Sequence, residues 1–115
     1  MLSYRHSFHA GNHADVLKHV VLLALLAYLT QKNKPLWYVD THAGAGRYAL
    51  PDHPAARAEQ QSGIARLWDA MDAPAPVARY LDDVRRINPD GMLAHYPGSP
   101  WFAARHLRRD DRLWL

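Results

Sequence analysis

The spacing of apolar residues predicts a long first helix behind a polar amino terminus. The residues up to Gly11 show no period and are predicted to form a mobile tail. A helix is then predicted over residues 13–30, with Asn12 as its N-cap and Asp15 in the position of a capping-box acid. Apolar residues are nearly continuous after Val20, so we expect this helix to be covered on most sides.

A short apolar run, residues 36–39, predicts a buried strand that ends at Asp40. A glycine-containing loop with Gly44 and Gly46 follows it. Ligands in open α/β sheets lie at the carboxyl ends of the strands, and glycine lets backbone approach a cofactor closely. The sequence therefore predicts an α/β fold with a ligand site at this loop.

Helical periodicity returns after a proline-rich break. Apolar positions recur with i, i+3, i+4 spacing over residues 55–71 and again over residues 77–87. We interpret residues 51–91 as a helical hairpin inserted into the α/β scaffold, which divides the chain into residues 1–50, 51–91 and 92–115.

The last segment, residues 92–115, is predicted to return to the scaffold. Ser99 is predicted to cap a helix that has Pro100 in its first position and ends near Arg109, and residues 112–115 begin a second strand. Two strands leave edges unpaired. We therefore expect an incomplete sheet and a chain that is the front portion of a longer protein.

Composition narrows the class of protein. The 115 residues are 49% hydrophobic, enough for one domain with a core. The absence of cysteine excludes disulfides and cysteine-based zinc sites. The longest apolar run has ten residues, from Val20 to Leu29, which is short of the roughly 20 that span a bilayer. The amino terminus also lacks the apolar core of a signal peptide, so no membrane partner and a cytoplasmic location are predicted.

The net charge of the chain only weakly favours an anionic partner. The formal charge is +3, a value that is also ordinary for solubility. Most of the cations are arginines, which suit phosphates and bases better than a membrane surface. Aromatic and basic residues in the first nine positions are able to stack on bases, or equally to pack on their own domain. Lys18 and His19 interrupt the apolar helix, which indicates either a ligand pocket or a solvent-facing stripe.

The eight histidines do not predict a metal site. No H-E-x-x-H sequence occurs, and their spacing offers no complete ligand set. We expect no metal, and a metal-dependent hydrolase is the least favoured of the functions considered.

The pattern Asp40-x-His42-x-Gly44-x-Gly46 matches the first motif of S-adenosylmethionine methyltransferases, with His42 in place of the first glycine. The alternative is a strand-to-helix turn in which the glycines only relieve crowding. A dinucleotide site is disfavoured because G-x-G-x-x-G is absent.

Three blocks, residues 1–19, 40–48 and 96–100, together closely resemble the J family of large-subunit ribosomal RNA adenine methyltransferases. The resemblance runs from residue 1 to 115 and is looser in the helical insert. It implies a Rossmann-like methyltransferase fold with an inserted helical subdomain. It also implies transfer of a methyl group from S-adenosylmethionine to N6 of one adenine in 23S ribosomal RNA, with no DNA as partner.

The resemblance also implies two groups of site residues. Those expected to bind or shape the cofactor site are His19, His42, Gly44, Gly46 and Ser99. Those expected on the substrate side, in an amino-terminal segment that folds over the cofactor, are Tyr4, His6 and Lys18.

No catalytic residue is expected in this chain. The family places its Asp-Pro-Pro-Tyr motif, which holds the target amine, downstream of position 115, and these residues contain no such sequence. We expect the 115 residues to be inactive alone. The alternative is a non-catalytic remnant that binds RNA or the ribosome.

Overall fold

The structure, a computed structural model, describes residues 6–115. It has six helices in this range, which are α1 His6–His9, α2 His13–Leu29, α3 Pro54–Gln61, α4 Ile64–Leu67, α5 Ala75–Arg86 and α6 Ser99–His106. The four strands in the same range are β1 Trp37–Val39, β2 Arg47–Ala49, β3 His95–Pro97 and β4 Arg112–Trp114. None of the helices described is long and apolar enough to cross a bilayer.

The predicted start and end of α2 are confirmed. The Asn12 side chain accepts a hydrogen bond from the Asp15 backbone N–H at 3.0 Å. The Asp15 carboxylate in turn accepts one from the Gly11 N–H at 3.0 Å. Both bonds satisfy donors that a helix start leaves without intrahelical partners. The helix ends at Leu29, and Thr30 caps it through its hydroxyl, which donates to the Leu26 carbonyl at 2.7 Å.

The expectation that α2 is covered on most sides is wrong for the described structure. Leu23 and Leu26 are buried, whereas Leu17 is 68% exposed and Leu25 is 54% exposed. Helices α5 and α6 both pack against α2, and the residues on its other face have no such cover among the elements described. A nearly continuous apolar run does not reveal which side faces the core.

Both predicted strands are confirmed in place, and they pair in parallel. The prediction that the first strand is buried is wrong, because Trp37 is 65% exposed and Val39 is 62% exposed in a sheet of only two strands. In the register of β1 with β4, Trp37 lies opposite Arg112 and Val39 lies opposite Trp114. The second sheet was not predicted. It joins β2 to β3 in antiparallel fashion, with Tyr48 opposite Tyr96. Each of its strands has three residues, which is too short for an alternating pattern to be visible.

The predicted helix over residues 55–71 is in fact two helices, α3 and α4, separated at Gly63. The backbone N–H of Ile64 donates to the Gly11 carbonyl at 2.8 Å. A Cβ at Gly63 would lie 2.2 Å from the same carbonyl oxygen. The two glycines therefore touch through their backbones, and this tertiary contact overrides the helical periodicity.

The other two helix predictions are correct in place and differ at their ends. Helix α5 corresponds to the prediction over residues 77–87. In α6 the N-cap is Gly98, and no side chain makes a capping hydrogen bond. The predicted capping role of Ser99 is therefore wrong, because its hydroxyl is directed elsewhere, as described below. The helix also ends at His106 and not near Arg109.

One hydrophobic core joins the predicted parts of the chain. Leu23 of α2, Tyr80 and Val84 of α5, Tyr96 of β3 and Phe102 of α6 belong to the same buried cluster. The result is a compact mixed α/β fold with two small sheets. The Rossmann-like arrangement and the separate status of residues 51–91 stay predictions.

Candidate functional site

A cleft of about 600 Å³ lies beside the loop that follows β1. The first half of α2, this loop and the start of α6 form its walls. Its lining residues are His6, Asn12, Ala14, Asp15, Lys18, His19, His42, Ala43, Gly44, Tyr48, Gly98 and Ser99. The volume is in the range of small-molecule and cofactor sites, which is about 300–1,000 Å³.

The cleft brings together most of the residues singled out from the sequence. Six of them line it, and these are His6, Lys18, His19, His42, Gly44 and Ser99. Gly46 is not a lining residue, but its carbonyl accepts a hydrogen bond from the Gly98 N–H at 2.9 Å and so joins the loop to α6. Tyr4 lies outside the described residues.

Asp40 is the anchor of the loop. Its Oδ2 accepts hydrogen bonds from the Ser99 hydroxyl at 2.6 Å and from the Tyr38 hydroxyl at 2.9 Å. Its Oδ1 accepts one from the His42 backbone N–H at 3.1 Å. Burial alone would raise the pKa of this carboxyl, but the hydrogen bonds, with a contribution from Lys18, hold the pKa below its usual value. Asp40 is therefore ionised, and it fixes the loop to both β1 and α6.

The Tyr38 hydroxyl is buried beside this carboxylate, and this position changes the pKa of Tyr38 itself. It raises the pKa of Tyr38 to about 12, first by desolvation and then through the hydrogen bond and charge of Asp40. Tyr38 is thus a stable hydrogen-bond donor to Asp40.

Two glycines let the loop turn tightly against α6. Gly44 has a φ of +65°, which L residues with a Cβ rarely adopt. A Cβ at Gly98 would lie 1.9 Å from the Ala45 carbonyl oxygen. The Ala45 N–H donates to the Tyr48 hydroxyl at 3.0 Å. The loop backbone therefore forms the floor of the cleft at a position where side chains would not fit.

His19 is buried at the back of the cleft. Its Nδ1 lies 2.8 Å from the Tyr96 hydroxyl, which lies 2.8 Å from the Tyr80 hydroxyl. Its Nε2 has no hydrogen-bond partner within residues 6–115. Burial, followed by the charges of Lys18 and His6, lowers the pKa of His19 to about 3. The imidazole is therefore neutral at physiological pH.

His6 connects α1 to the wall of the cleft. Its Nε2 lies 2.8 Å from the buried carboxylate of Asp15, and its ring meets the ring of Tyr48 edge-on at 5.1 Å. His9 in the same helix lies 2.8 Å from Glu59 of α3. The prediction that the first eleven residues form a mobile tail is wrong for residues 6–9, because they form α1 and these two contacts hold it in place.

Lys18 contributes an exposed positive charge. It makes no ion pair with any side chain in the described range, it is exposed, and it lines the same cleft as Asp15. An unpaired cation beside a cleft attracts an anionic ligand group.

Sequence reasoning missed six lining residues, which are Asn12, Ala14, Asp15, Ala43, Tyr48 and Gly98. The sequence did contain a signal for Asp15, which is the one acidic residue in α2. A lone carboxylate in an apolar helix requires a partner. Tyr48 depends on the unpredicted pairing of β2 with β3. As for metals, no group of three suitable ligands occurs in the part of the chain that the structure describes.

Comparison with known proteins identifies the family. The sequence profile of the family described as "Ribosomal RNA large subunit methyltransferase D, RlmJ" matches residues 33–115. The chain belongs to this ribosomal RNA methyltransferase family. The resemblance inferred from the sequence blocks is thereby confirmed.

Two curated relatives in the RlmJ family cover the whole of this chain. The protein named "Ribosomal RNA large subunit methyltransferase J" from Escherichia coli strain K12 is 53% identical over 116 residues. The protein of the same name from Haemophilus influenzae is 50% identical over 117 residues. The chain spans only 41% and 42% of their respective lengths.

A crystal structure of a Legionella pneumophila protein has the same fold. It matches with a TM-score of 0.82 and 47% sequence identity, over 90% of this chain and 38% of that protein. The described fold thus corresponds to part of that larger structure.

Proposed function

We propose that this chain forms one wall of the S-adenosylmethionine site of a methyltransferase that modifies N6 of an adenine in 23S ribosomal RNA. Two findings support the proposal: the family to which the chain belongs, and the cleft that six of the candidate residues line together. The cleft is the observation that carries it, because those residues come from three distant parts of the sequence. A ribosomal RNA substrate also supports the expected cytoplasmic location.

The residues present fit the cofactor. A nucleoside with an amino-acid arm offers hydrogen-bond acceptors, a carboxylate and a flat base. The cleft offers exposed backbone at Gly44, the unpaired ammonium of Lys18 and the unsatisfied Nε2 of His19. When bound, the cofactor would supply the methyl group. In this proposal His19, His42 and Ser99 hold it, and the backbone of Gly44 and Gly46 shapes the floor under it.

The amino-terminal segment has a separate role in the proposal. His6 of α1 and Lys18 of α2 line the cleft, and in this proposal they cover the cofactor and face the RNA. Tyr4 would contact the RNA itself. A segment that closes over a site excludes water from it and positions the substrate.

Methyl transfer to adenine requires groups that we do not find in these residues. The lone pair of an exocyclic amine is delocalised into the ring, so the amine has to be held in line with the methyl group. The base also has to be taken out of its stack. Residues 1–115 contain no Asp-Pro-Pro-Tyr sequence to hold the amine. We therefore assign cofactor binding to this chain, and not the contacts to the target amine.

Calorimetric titration of the chain with S-adenosylmethionine tests the cofactor site. We expect saturable binding, and we expect His42→Ala to weaken it about tenfold, which corresponds to about 1.4 kcal/mol. His13→Ala is the matched control, because His13 is an exposed histidine that does not line the cleft. Wild-type protein that releases no heat of binding would contradict the proposal and favour the non-catalytic RNA-binding alternative.

The RNA side is tested with Tyr4→Ala. This variant should bind S-adenosylmethionine as the wild type does and lose affinity for fragments of 23S ribosomal RNA, measured by fluorescence anisotropy. Equal loss of cofactor affinity in Tyr4→Ala and His42→Ala would refute the division of roles.

The 115-residue chain should transfer no radioactive methyl group to the same RNA, and transfer would show that the amine contacts lie within it.

A further inference from the structure

A line of three buried polar groups leads from the core to the cleft. Tyr80 of α5 and Tyr96 of β3 are 0% exposed, and His19 of α2 is 1% exposed. The two hydroxyl oxygens are 2.8 Å apart, and the Tyr96 oxygen is 2.8 Å from Nδ1 of His19. Groups enclosed to this degree cannot exchange hydrogen bonds with water, so the direction of each bond is set by the protons available.

The number of protons fixes that direction. Burial raises the pKa of both tyrosines, so each hydroxyl keeps its proton. If Nδ1 of His19 donated to Tyr96, then Tyr96 would donate to Tyr80, and the Tyr80 proton would have no acceptor among residues 6–115. In the opposite direction Tyr80 donates to Tyr96, Tyr96 donates to Nδ1, and both hydroxyl protons are used. The first direction leaves both a hydroxyl proton and the Nε2 lone pair of His19 without a partner in this range, whereas the second leaves only the Nε2–H. Buried polar groups without partners are costly, so the second direction is favoured.

This direction determines the form of the imidazole. His19 is neutral, because burial lowers its pKa to about 3, and a neutral imidazole has one N–H. Since Nδ1 accepts the bond from Tyr96, the proton is on Nε2. Nε2 is also the nitrogen of this ring that lacks a partner in the described part of the chain. The ring therefore has a donor to offer to a group in the cleft.

We propose that Tyr96, supported by Tyr80, is a positioning residue that fixes the His19 proton on Nε2 and so makes His19 a hydrogen-bond donor to the cleft ligand. The identity of that ligand as S-adenosylmethionine rests on the proposed function above. Tyr96 does not reach the ligand, and it acts only through the imidazole.

Nuclear magnetic resonance tests the tautomer in protein without ligand. Long-range nitrogen–proton correlation spectra of histidine-labelled chain distinguish the two neutral forms of His19. The wild type should show the Nε2–H form. Tyr96→Phe, which keeps the ring and removes the hydroxyl, should give a mixture of the two forms. Tyr80→Phe is the matched control: it also loses one buried hydroxyl, but Tyr96 can still donate to Nδ1, so the Nε2–H form should persist.

Titration with S-adenosylmethionine supplies the second measurement. Tyr96→Phe should bind the cofactor about tenfold more weakly than the wild type, whereas Tyr80→Phe should bind within about twofold of it. An Nδ1–H form in the wild type, an unchanged tautomer in Tyr96→Phe, or equal loss of affinity in both variants would overturn the positioning role. A wild type that has the Nε2–H form and binds no S-adenosylmethionine would support the role of Tyr96 and remove the cofactor assignment.

Discussion

At the scale of single residues, His19 shows how the fold controls charge at the back of the cleft. Its ring is packed against Phe102, with ring centroids 4.7 Å apart, and the nearby cation Lys18 further opposes protonation. A charged imidazole in this place would lack both water and a carboxylate partner. The enclosure that keeps the His19 ring neutral therefore makes the stability of the fold sensitive to acid.

The free energy of unfolding should fall with decreasing pH because of His19. The folded pKa is about 3 and the ordinary value is 6.5, so between these values the unfolded chain binds a proton that the folded chain does not. The stability associated with the neutral ring is complete above pH 6.5 and is lost progressively below it. The slope from this one group approaches about 1.4 kcal/mol per pH unit. Urea denaturation at pH 7.5 and pH 5 measures it.

His19→Asn isolates this contribution, because the amide can still accept a hydrogen bond from Tyr96 and does not titrate. The variant should lose less stability than the wild type between pH 7.5 and pH 5. His13→Asn, which removes an exposed histidine, should show the wild-type slope. A wild-type slope in His19→Asn would show that the imidazole is protonated in the folded protein.

At the scale of elements, the loop after β1 and the start of α6 form one unit. Gly98 donates its N–H to Gly46 and lies against the carbonyl of Ala45, while Ser99 donates to Asp40. The floor of the cleft is thus made of two segments that are more than 50 residues apart in sequence. Its shape depends on close backbone contact between them.

Gly98→Ala and Gly46→Ala form a matched pair that tests this contact. The Cβ at position 98 would lie 1.9 Å from a backbone oxygen, whereas a Cβ at position 46 would have no atom within 4 Å. Gly98→Ala should therefore lower the free energy of unfolding by about 1–3 kcal/mol, typical of overpacking, and should also weaken cofactor binding. Gly46→Ala should change the free energy of unfolding by no more than about 0.5 kcal/mol. Thermal and urea unfolding measure both variants. If Gly98→Ala and Gly46→Ala lost similar amounts of stability, the described packing would be contradicted.

The elements that the sequence predicted well are those with local signals. Asn12 and Asp15 mark the start of α2 by their own hydrogen bonds, and the glycine loop was found because the motif is continuous in sequence. The break at Gly63 and the strand containing Tyr48 depend on partners far along the chain, so no local pattern reveals them. The same distinction divides the site: His42 and Gly44 were predicted, whereas the lining role of Tyr48 was not.

At the scale of the whole molecule, α2 is the element on which α5 and α6 converge. Its sequence is apolar all round after Val20, so periodicity could not show which side belongs to the core. Two adjacent positions show which side of α2 faces the core. Leu26 is 3% exposed and Leu25 is 54% exposed.

Leu25→Ala and Leu26→Ala should differ strongly in stability. Removing the buried Leu26 side chain leaves a cavity between α2 and its neighbours and should cost about 2–5 kcal/mol. Leu25→Ala removes a side chain that is mainly in water and should cost no more than about 0.5 kcal/mol. Urea unfolding of the two variants measures the difference. A large cost for Leu25→Ala would show that the outer face of α2 is covered in solution.

The contact between Gly11 and Gly63 has a consequence for the local unfolding of this part of the molecule. Because these backbones touch, and because His9 is bonded to Glu59, neither α1 nor α3 can move away without breaking the other's contacts. Segments coupled in this way exchange their amide hydrogens together. The amides that close the turn before α2 and those of α3 would therefore give a common free energy of opening in hydrogen exchange, although about 50 residues separate them. His6 of α1, which lines the cleft, would move away in the same cooperative step.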